Sequence, residues 1–470
     1  MASSSLAPES MTPPDNEKMP DESSKLRMFL GILRKFIGVS DIATVRFSLP
    51  SQLLEPTPNL EYWNYLDRPE YFASIGDAED PLERMLEVVR FWCTKDLKYV
   101  KGKPCKPYNS ALGEFFRCNW DVAEVPPPIP LVRPTTSSNS AASSIKSMKT
   151  HSRNTSTVTI PATKLEKPLR ISYLTEQTSH HPPVSAFYVD CPAKGLSARG
   201  FDQISAKFTG TSVKVTPGEH NLGIFINIAR RDDEQYRLTH PAAHLGGLLR
   251  GSLSVTVGDL CYITCPKTKM KTILHYLEEG WLGKAQNRME GVIFKYDPDN
   301  DDKTRIRDVP EKDILAYING NWRDKIYFSL ASRSGVSLRP YEAEDTRGLT
   351  AAQEQNLLVD LEPLTIAPKS IPPQSVQLAN ESLRFWGGVT DAIKSKQFSR
   401  ATSLKQELEE AQRQKAKARE ATGEAWSPRF FTGSVTPLGK PDLSEEGKNA
   451  LKALQEGRWE LAPSPAVASG

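Results

Sequence analysis

The sequence predicts an α+β fold dominated by antiparallel strands that close, or nearly close, into one large barrel with helices before and after it. Three observations carry that expectation. First, Leu222, Ile224, Ile226 and Ile228 recur at every second position, and so do Leu253, Val255 and Val257 between Ser252, Ser254 and Thr256, the pattern of strands with one buried face. Second, from 169 to about 329 such runs are separated by turn signals, among them Pro217-Gly218, Arg231-Asp232-Asp233 and Asp297-Pro298-Asp299-Asn300. Third, both ends of the chain change to helical periodicity. Many consecutive antiparallel strands must hide their edges, and closure does so; a large barrel can also enclose a cavity.

The elements follow in order. Residues 1–23 read as a polar, disordered tail. Over Lys25 to Val39, a segment taken with its flanks as 24–40, Leu26, Phe29, Leu30, Leu33, Phe36 and Ile37 recur at helical spacing. This helix either packs permanently on the core or serves as a mobile lid or membrane-surface segment. Pro81 to Tyr99 reads as a second helix, with Leu82, Met85, Leu86, Val89, Phe91 and Trp92 on its buried face. Lys106-Pro-Tyr-Asn-Ser-Ala-Leu-Gly-Glu114 is a punctuated loop. Residues 126–165 have the Pro start and Ser/Thr-rich run of a disordered insertion, placed inside a domain because strand-like sequence lies on both sides. After the strands, Ser382 to Lys396 and Ser403 to Thr422 read as helices. Residues 436–470 read as a loosely ordered tail, so the folded domain is expected over 24–435.

Composition narrows the function classes. The chain has 470 residues, with 60 Lys+Arg against 57 Asp+Glu and a net charge of +3. That balance argues against general nucleic-acid binding, which wants a strongly basic face, and leaves room for a local basic patch against an anionic membrane. The six cysteines show neither zinc-ligand spacing nor a disulfide framework; reduced thiols are the simplest reading, and no metal or cofactor is expected. The first twenty residues lack the apolar run of a secretory leader. No stretch approaches the ~20 apolar residues needed to span a bilayer, so any membrane contact is expected to be peripheral.

Glu176-Gln-Thr-Ser-His-His-Pro-Pro-Val-Ser-Ala-Phe187 is the most informative stretch. Two imidazoles precede two prolines, and proline pushes the residue before it out of the helical region. His180 and His181 are therefore held on a stiff, extended backbone. On spacing alone the pair is either an accident of surface or core, or a polar rim for an anionic group. It lacks the i, i+4 arrangement of a zinc protease and has no Cys-x-x-Cys companion.

Glu176 to Pro183 resembles the fingerprint of the oxysterol-binding-protein-related lipid-transfer family. Lys106-Pro-Tyr-Asn109 with Leu112-Gly-Glu114 is similar to that family's Lys-Pro-x-Asn-Pro-x-Leu-Gly-Glu loop. Gly320 with Trp322 looks like its late barrel strand, Lys405-x-x-x-Glu409-x-x-x-Arg413 like a late helix, and Trp426-Ser-Pro-Arg429-Phe430 like the stretch after it. One departure stands out: Ser110 replaces the proline after Asn109, which is expected to loosen the loop. The resemblance implies a near-complete barrel with a central lipid tunnel under an N-terminal lid formed by Leu26, Phe29, Leu30 and Leu33. It implies that a sterol and phosphatidylinositol 4-phosphate occupy the tunnel in turn, with the phosphoinositide headgroup held by Lys106, Asn109, His180, His181, Lys405 and Arg413, and with Glu409 as a polar partner. Such a carrier is expected to be a monomer that acts from the cytosol, peripherally, at membrane contact sites, with no catalytic residues. It resembles the short members, without accessory domains. Phosphatidylserine is the alternative second lipid.

The chemistry of those residues suits the role. Phosphates need cationic, hydrogen-bonding partners: Lys offers a mobile charge, Arg a bidentate fork, imidazole and Asn further donors. Lys405, Glu409 and Arg413 share one helical face, which serves equally as a salt-bridged solvent face. A lid has a physical reason, since a lipid carried through water exposes on the order of 400 Å² of apolar surface, costing about 10 kcal/mol. Two other classes remain open. A hydrolase would use His180 or His181 as base, with Glu176 and Ser179 nearby, though no Gly-x-Ser-x-Gly elbow accompanies them. A lipid sensor would bind without transfer.

Overall fold

The computed structural model describes residues 22–45, 51–101, 108–129, 131, 162–247, 254–278, 286–331 and 356–462. The N-terminal helices are α1 (Glu22–Leu33), α2 (Asn59–Tyr62), α3 (Pro69–Ala73), α4 (Pro81–Thr94) and α5 (Lys98–Lys101). The strands are β1 (Phe115–Val125), β2 (Thr163–His180), β3 (Pro183–Cys191), β4 (Leu196–Asp202), β5 (Ile204–Phe208), β6 (Val213–Pro217), β7 (Ile224–Ile228), β8 (Glu234–Leu238), β9 (Ala242–Gly246), β10 (Ser254–Cys265), β11 (Met270–Tyr276), β12 (Arg288–Lys295), β13 (Ile314–Asn321), β14 (Lys325–Leu330) and β15 (Asn356–Asp360). The C-terminal helices are α6 (Ser382–Phe385), α7 (Gly387–Lys394), α8 (Phe398–Thr422) and α9 (Glu445–Gln455).

Every strand pair is antiparallel, and the main path runs β1-β2-β3-β4-β7-β8-β10-β11-β12-β13-β14-β15. β5, β6 and β9 form a side ladder that joins the first half of β10. The path ends at β1 and β15, and the segment after β15 covers the edge of β1. Ser370 and Asn119 exchange backbone hydrogen bonds of 2.8 and 2.9 Å, and the Phe115 amide donates to the Asn380 carbonyl at 3.2 Å. The expected near-closure is thus made partly by irregular chain, which satisfies edge groups that would otherwise be a pairing hazard.

Alternation decides what lies inside. Ile224, Ile226 and Ile228 are buried while Phe225 and Asn227 are only half-buried. On β1, Phe116, Cys118, Trp120 and Val122 turn inward, and they join Tyr173, Phe187, Ile226, Ile263, Leu274 and Ile318 in one large cluster. Cys261 and Cys265 are both buried in β10.

α4 belongs to the same interior. Asp80 caps it by accepting from the Leu82 amide at 2.7 Å, and Pro81 follows at the first turn. The helix is buried on nearly all sides, charged residues included. Two of those charges are fully answered: Arg84 binds Glu234 through two nitrogens at 2.8 and 2.7 Å, and Glu87 accepts from the Gly76 and Ala78 amides, while Arg90 donates through one nitrogen to the Pro127 carbonyl at 2.9 Å. Buried charge without such partners would be strongly unfavourable.

Three expectations are adjusted. The helix expected over 382–396 is two, because the backbone turns at Trp386 between α6 and α7. Residues 436–462 are not a loose tail: α9 is capped by Ser444 and buries Ala450, Leu451 and Leu454 against Phe115, Leu174, Phe201 and Phe430. The expected insertion falls largely in 132–161, outside the described residues, and β2 already begins at Thr163, opposite Val125.

Candidate functional site

β2 and β3 meet in a tight hairpin in which His180 lies opposite Pro183. His181 and Pro182 form the turn, and the bond between them is cis. The register slips between Gln177 and Ser179, a bulge that re-aims the residues after it. Both imidazoles are exposed, with ring centroids 4.7 Å apart and nearly perpendicular. Pro183 takes the first position of its strand, where proline is tolerated.

The 108–114 loop comes to the same place. The Gly113 amide donates to the Gln177 carbonyl at 3.0 Å, and the Gln177 amide donates to the Glu114 carbonyl at 2.8 Å. Asn109 is exposed. Its neighbour Tyr108 is buried, stacked on Trp386 at 4.8 Å, with its hydroxyl 3.0 Å from that of Thr390. Ser110 stands where the family's loop has proline. It is buried, its hydroxyl bonds the Gln177 side-chain oxygen, and Asn59 approaches it at 3.4 Å. The Gln177 amide nitrogen then lies 3.0 Å from His180 Nδ1. A side-chain path thus connects the residue after Asn109 to the first histidine.

Two buried carboxylates hold this corner together. Glu114 accepts from the Ala111 amide at 2.8 Å, the Ser382 hydroxyl at 2.6 Å and the Trp386 indole at 3.1 Å. Glu176 accepts from the amides of Arg429 and Phe430, each at 2.8 Å. Burial pushes both carboxyls up to about 7, against the lowering effect of their donors. Glu176 is therefore committed to the C-terminal segment, which removes it as the partner carboxylate of a histidine base. Trp426 lies between the loop and the hairpin: its indole donates to the Thr178 carbonyl at 3.2 Å, and its ring edge fills the space beside Gly113.

Four expected site residues remain. Lys106 lies outside the described residues. Lys405 is buried on α8 and donates to Glu409 at 2.7 Å. Arg413, two turns on, is exposed and pairs with Glu410 at 2.9 Å rather than with Glu409. α8 reaches the loop through a shared cluster in which Phe398, Ala401 and Leu404 pack with Tyr108 and Trp386.

α1 lies over the side ladder. Leu26 and Leu33 are buried with Ile42, Phe208 and Val213, while Phe29 and Leu30 are half-buried at the margin. Phe29 also touches the cluster of α7 and α8, so the helix bridges the side ladder and the C-terminal helices. A groove of about 610 Å³ beside His181 is walled by Asp41, Gln203, Thr216 and Glu219. Its carboxylates make it a poor seat for phosphate, which favours the Asn109 side of the hairpin.

Sequence reasoning missed a polar group inside the barrel. Tyr65 donates to Asp202 at 2.5 Å, and Lys98 binds Asp67 and Asp96 at 3.3 and 3.0 Å. Lys95 pairs with Asp96 and lies over the rings of Tyr65 and Trp92, at 4.7 and 4.3 Å. Burial pushes Asp202 up to about 7; burial and then Lys95 hold His240 down to about 3.

The comparisons bear on the family and the fold. The family model described as "Oxysterol-binding protein" matches residues 28–461. Oxysterol-binding protein-like protein 1 of Schizosaccharomyces pombe is 43% identical, over 92% of this chain and 91% of the relative. Oxysterol-binding protein-related protein 9 of Homo sapiens is 29% identical over 82% of this chain, which spans 44% of that longer protein. Among solved structures, the Osh1 ORD domain in complex with cholesterol superposes with a TM-score of 0.60 at 18% identity, covering 91% of this chain and 89% of that one. The Osh3 ORD in complex with PI(4)P from Saccharomyces cerevisiae gives 0.57 at 14% identity, covering 95% and 96%. The chain belongs to the oxysterol-binding protein family of lipid-transfer proteins, a family of carriers and not of enzymes.

Proposed function

We propose that this protein carries phosphatidylinositol 4-phosphate and a sterol in turn inside its barrel and exchanges them between membranes. The observation that carries the reading is the joining of the Asn109 loop to the His180-His181 turn through Ser110 and Gln177. Two exposed imidazoles and an exposed amide then share one rim, and Lys106 stands three residues before Asn109 in the sequence. Donors of this kind suit phosphate oxygens. Lys405 and Arg413 on α8 are the further cations of the proposal, with Glu409 holding Lys405. A cholesterol-bound and a PI(4)P-bound structure of the same fold support one interior serving two guests.

The interior suits an apolar guest with a small polar end. The residues buried inside the sheet are mostly apolar, and Tyr65, Asp202 and Lys95 offer a hydroxyl both donors and acceptors. α1 covers the barrel as a lid, shielding the guest from water. No helix among the described residues is long and apolar enough to cross a membrane, and the proposed contact is peripheral, made by a monomer from the cytosol.

The test is transfer between two vesicle populations, one bearing phosphatidylinositol 4-phosphate and the other a sterol or phosphatidylserine. His180→Ala with His181→Ala is expected to abolish phosphoinositide extraction while thermal melting stays unchanged. Normal extraction by that variant would remove the headgroup assignment. Binding without transfer would make the protein a sensor, and counter-transport of phosphatidylserine alone would replace the sterol.

A further inference from the structure

The bonds around Ser110 have a direction that can be worked out. Asn59 Nδ2 can only donate, and it points at the Ser110 hydroxyl at 3.4 Å. The hydroxyl hydrogen therefore goes to its other neighbour, the side-chain oxygen of Gln177. With that oxygen accepting, the amide nitrogen of Gln177 is the atom left to face His180 Nδ1, at 3.0 Å. An amide nitrogen donates and does not accept, so Nδ1 must be the bare nitrogen of the ring and the hydrogen must sit on Nε2.

We infer that Ser110 acts as a positioning residue, working through Gln177 to hold His180 as the Nε2–H tautomer. Ser110 is 5% exposed and Gln177 1% exposed, so water does not compete for these bonds and a reversed amide would leave the hydroxyl facing two donors. The consequence is that His180 offers an N–H to an anion while its ring is neutral. The serine thus does through a hydrogen bond what a proline at that position, having no side-chain hydroxyl, cannot do. The role in binding rests on the reading of His180 as a headgroup contact; the tautomer itself does not.

The experiment is long-range proton–nitrogen NMR on full-length protein with ¹⁵N-labelled histidine, at pH ~8, above the ordinary imidazole range. His180→Asn identifies the signals of this ring among those of the 7 histidines. The wild type is expected to show the hydrogen on Nε2. Ser110→Ala should yield a mixture of tautomers, and Ser110→Thr, which restores a hydroxyl, should recover the single form. In parallel, extraction of phosphatidylinositol 4-phosphate from vesicles should fall about threefold to tenfold in Ser110→Ala, the range of one hydrogen bond, and recover in Ser110→Thr. Hydrogen on Nδ1 in the wild type, or an unchanged tautomer in Ser110→Ala, would overturn the inference. A changed tautomer with unchanged extraction would overturn its role in binding. If Ser110→Ala fails to fold, the wild-type spectrum still decides. Should the wild type extract no phosphoinositide, the functional reading fails, and the spectrum still tests the tautomer alone.

Discussion

The carboxylate of Glu114 accepts the indole N–H of Trp386 at 3.1 Å across 272 residues of chain. One buried acid thereby ties the start of the barrel to the helices that follow it.

The acid is held at about 7 against an ordinary 4.5, chiefly by burial. A carboxyl whose folded value is raised binds more protons folded than unfolded between those two values. Stability therefore falls as pH rises through that window and levels off above it. Glu114→Gln should remove this slope without losing the site. The amide oxygen can accept from Ala111 and Trp386, and the amide nitrogen can donate to Ser382, whose hydroxyl has the Phe115 carbonyl at 3.2 Å as a second acceptor. The wild type should lose on the order of 1–3 kcal/mol from this group between pH 5 and 8. Melting at both pH values checks it: the gap should narrow in the variant, which at pH 8 should be the more stable protein. An unchanged gap would mean that Glu114 does not titrate in this range.

Gly113 and Trp426 should behave as a coupled pair. Gly113 has φ +75°, and a Cβ there would sit 2.6 Å from the Trp426 ring. Gly113→Ala therefore meets both an unfavourable backbone conformation and a ring held by Thr178, and should cost about 1–3 kcal/mol. In a Trp426→Leu background the steric part disappears, so the same substitution should cost less. A double-mutant cycle by chemical denaturation measures the coupling; strict additivity would show that the ring does not set the loop.

How much of this was legible follows from the range of the interactions. The alternation at Ile224, Ile226 and Ile228 is local, and the strand runs where the pattern put it. The pairing of Lys405 with Glu409 is likewise a one-turn relation. Glu176 was conspicuous in its motif, yet its partners lie more than 250 residues away, and no spacing rule reaches that far. α9 was missed because Ala450, Leu451 and Leu454 are few apolar residues amid prolines and charges, and its docking needs a close approach at Gly447, where a Cβ would meet the Phe430 carbonyl at 2.1 Å. The interior polar group comes from α4, α5, β4 and flanking loops that only the folded chain brings together, so Tyr65, Lys95 and Asp202 carried no common signal.

The connection from β1 to β2 should be dispensable for folding. Val125 is already paired with Thr163, so the hairpin's ends are fixed by the ladder. Replacing 132–160 with a short Gly/Ser link shortens a loop whose closure entropy changes slowly with length, by less than about 1 kcal/mol per halving. The melting temperature should stay within a few degrees. A large drop would mean that this segment contributes packing of its own.

α1 should come away from the barrel without unfolding it. Its buried leucines, Leu26 and Leu33, contact Ile42, Phe208 and Val213 in a cluster separate from the main interior one. Each buried leucine contributes ~1.5–3 kcal/mol, so the helix is docked by only a few side chains. Met28 and Ile37 on the same segment stay exposed, and these would meet a bilayer first. Leu26→Asp with Leu33→Asp removes the docking energy and adds the cost of burying charge, which the chain avoids by releasing the helix. Bound fluorescent sterol should then escape to acceptor vesicles several-fold faster, while the main thermal transition moves little. Equal retention in variant and wild type would show that α1 is only a packed surface helix, and the shield against water would have to be sought elsewhere on the barrel.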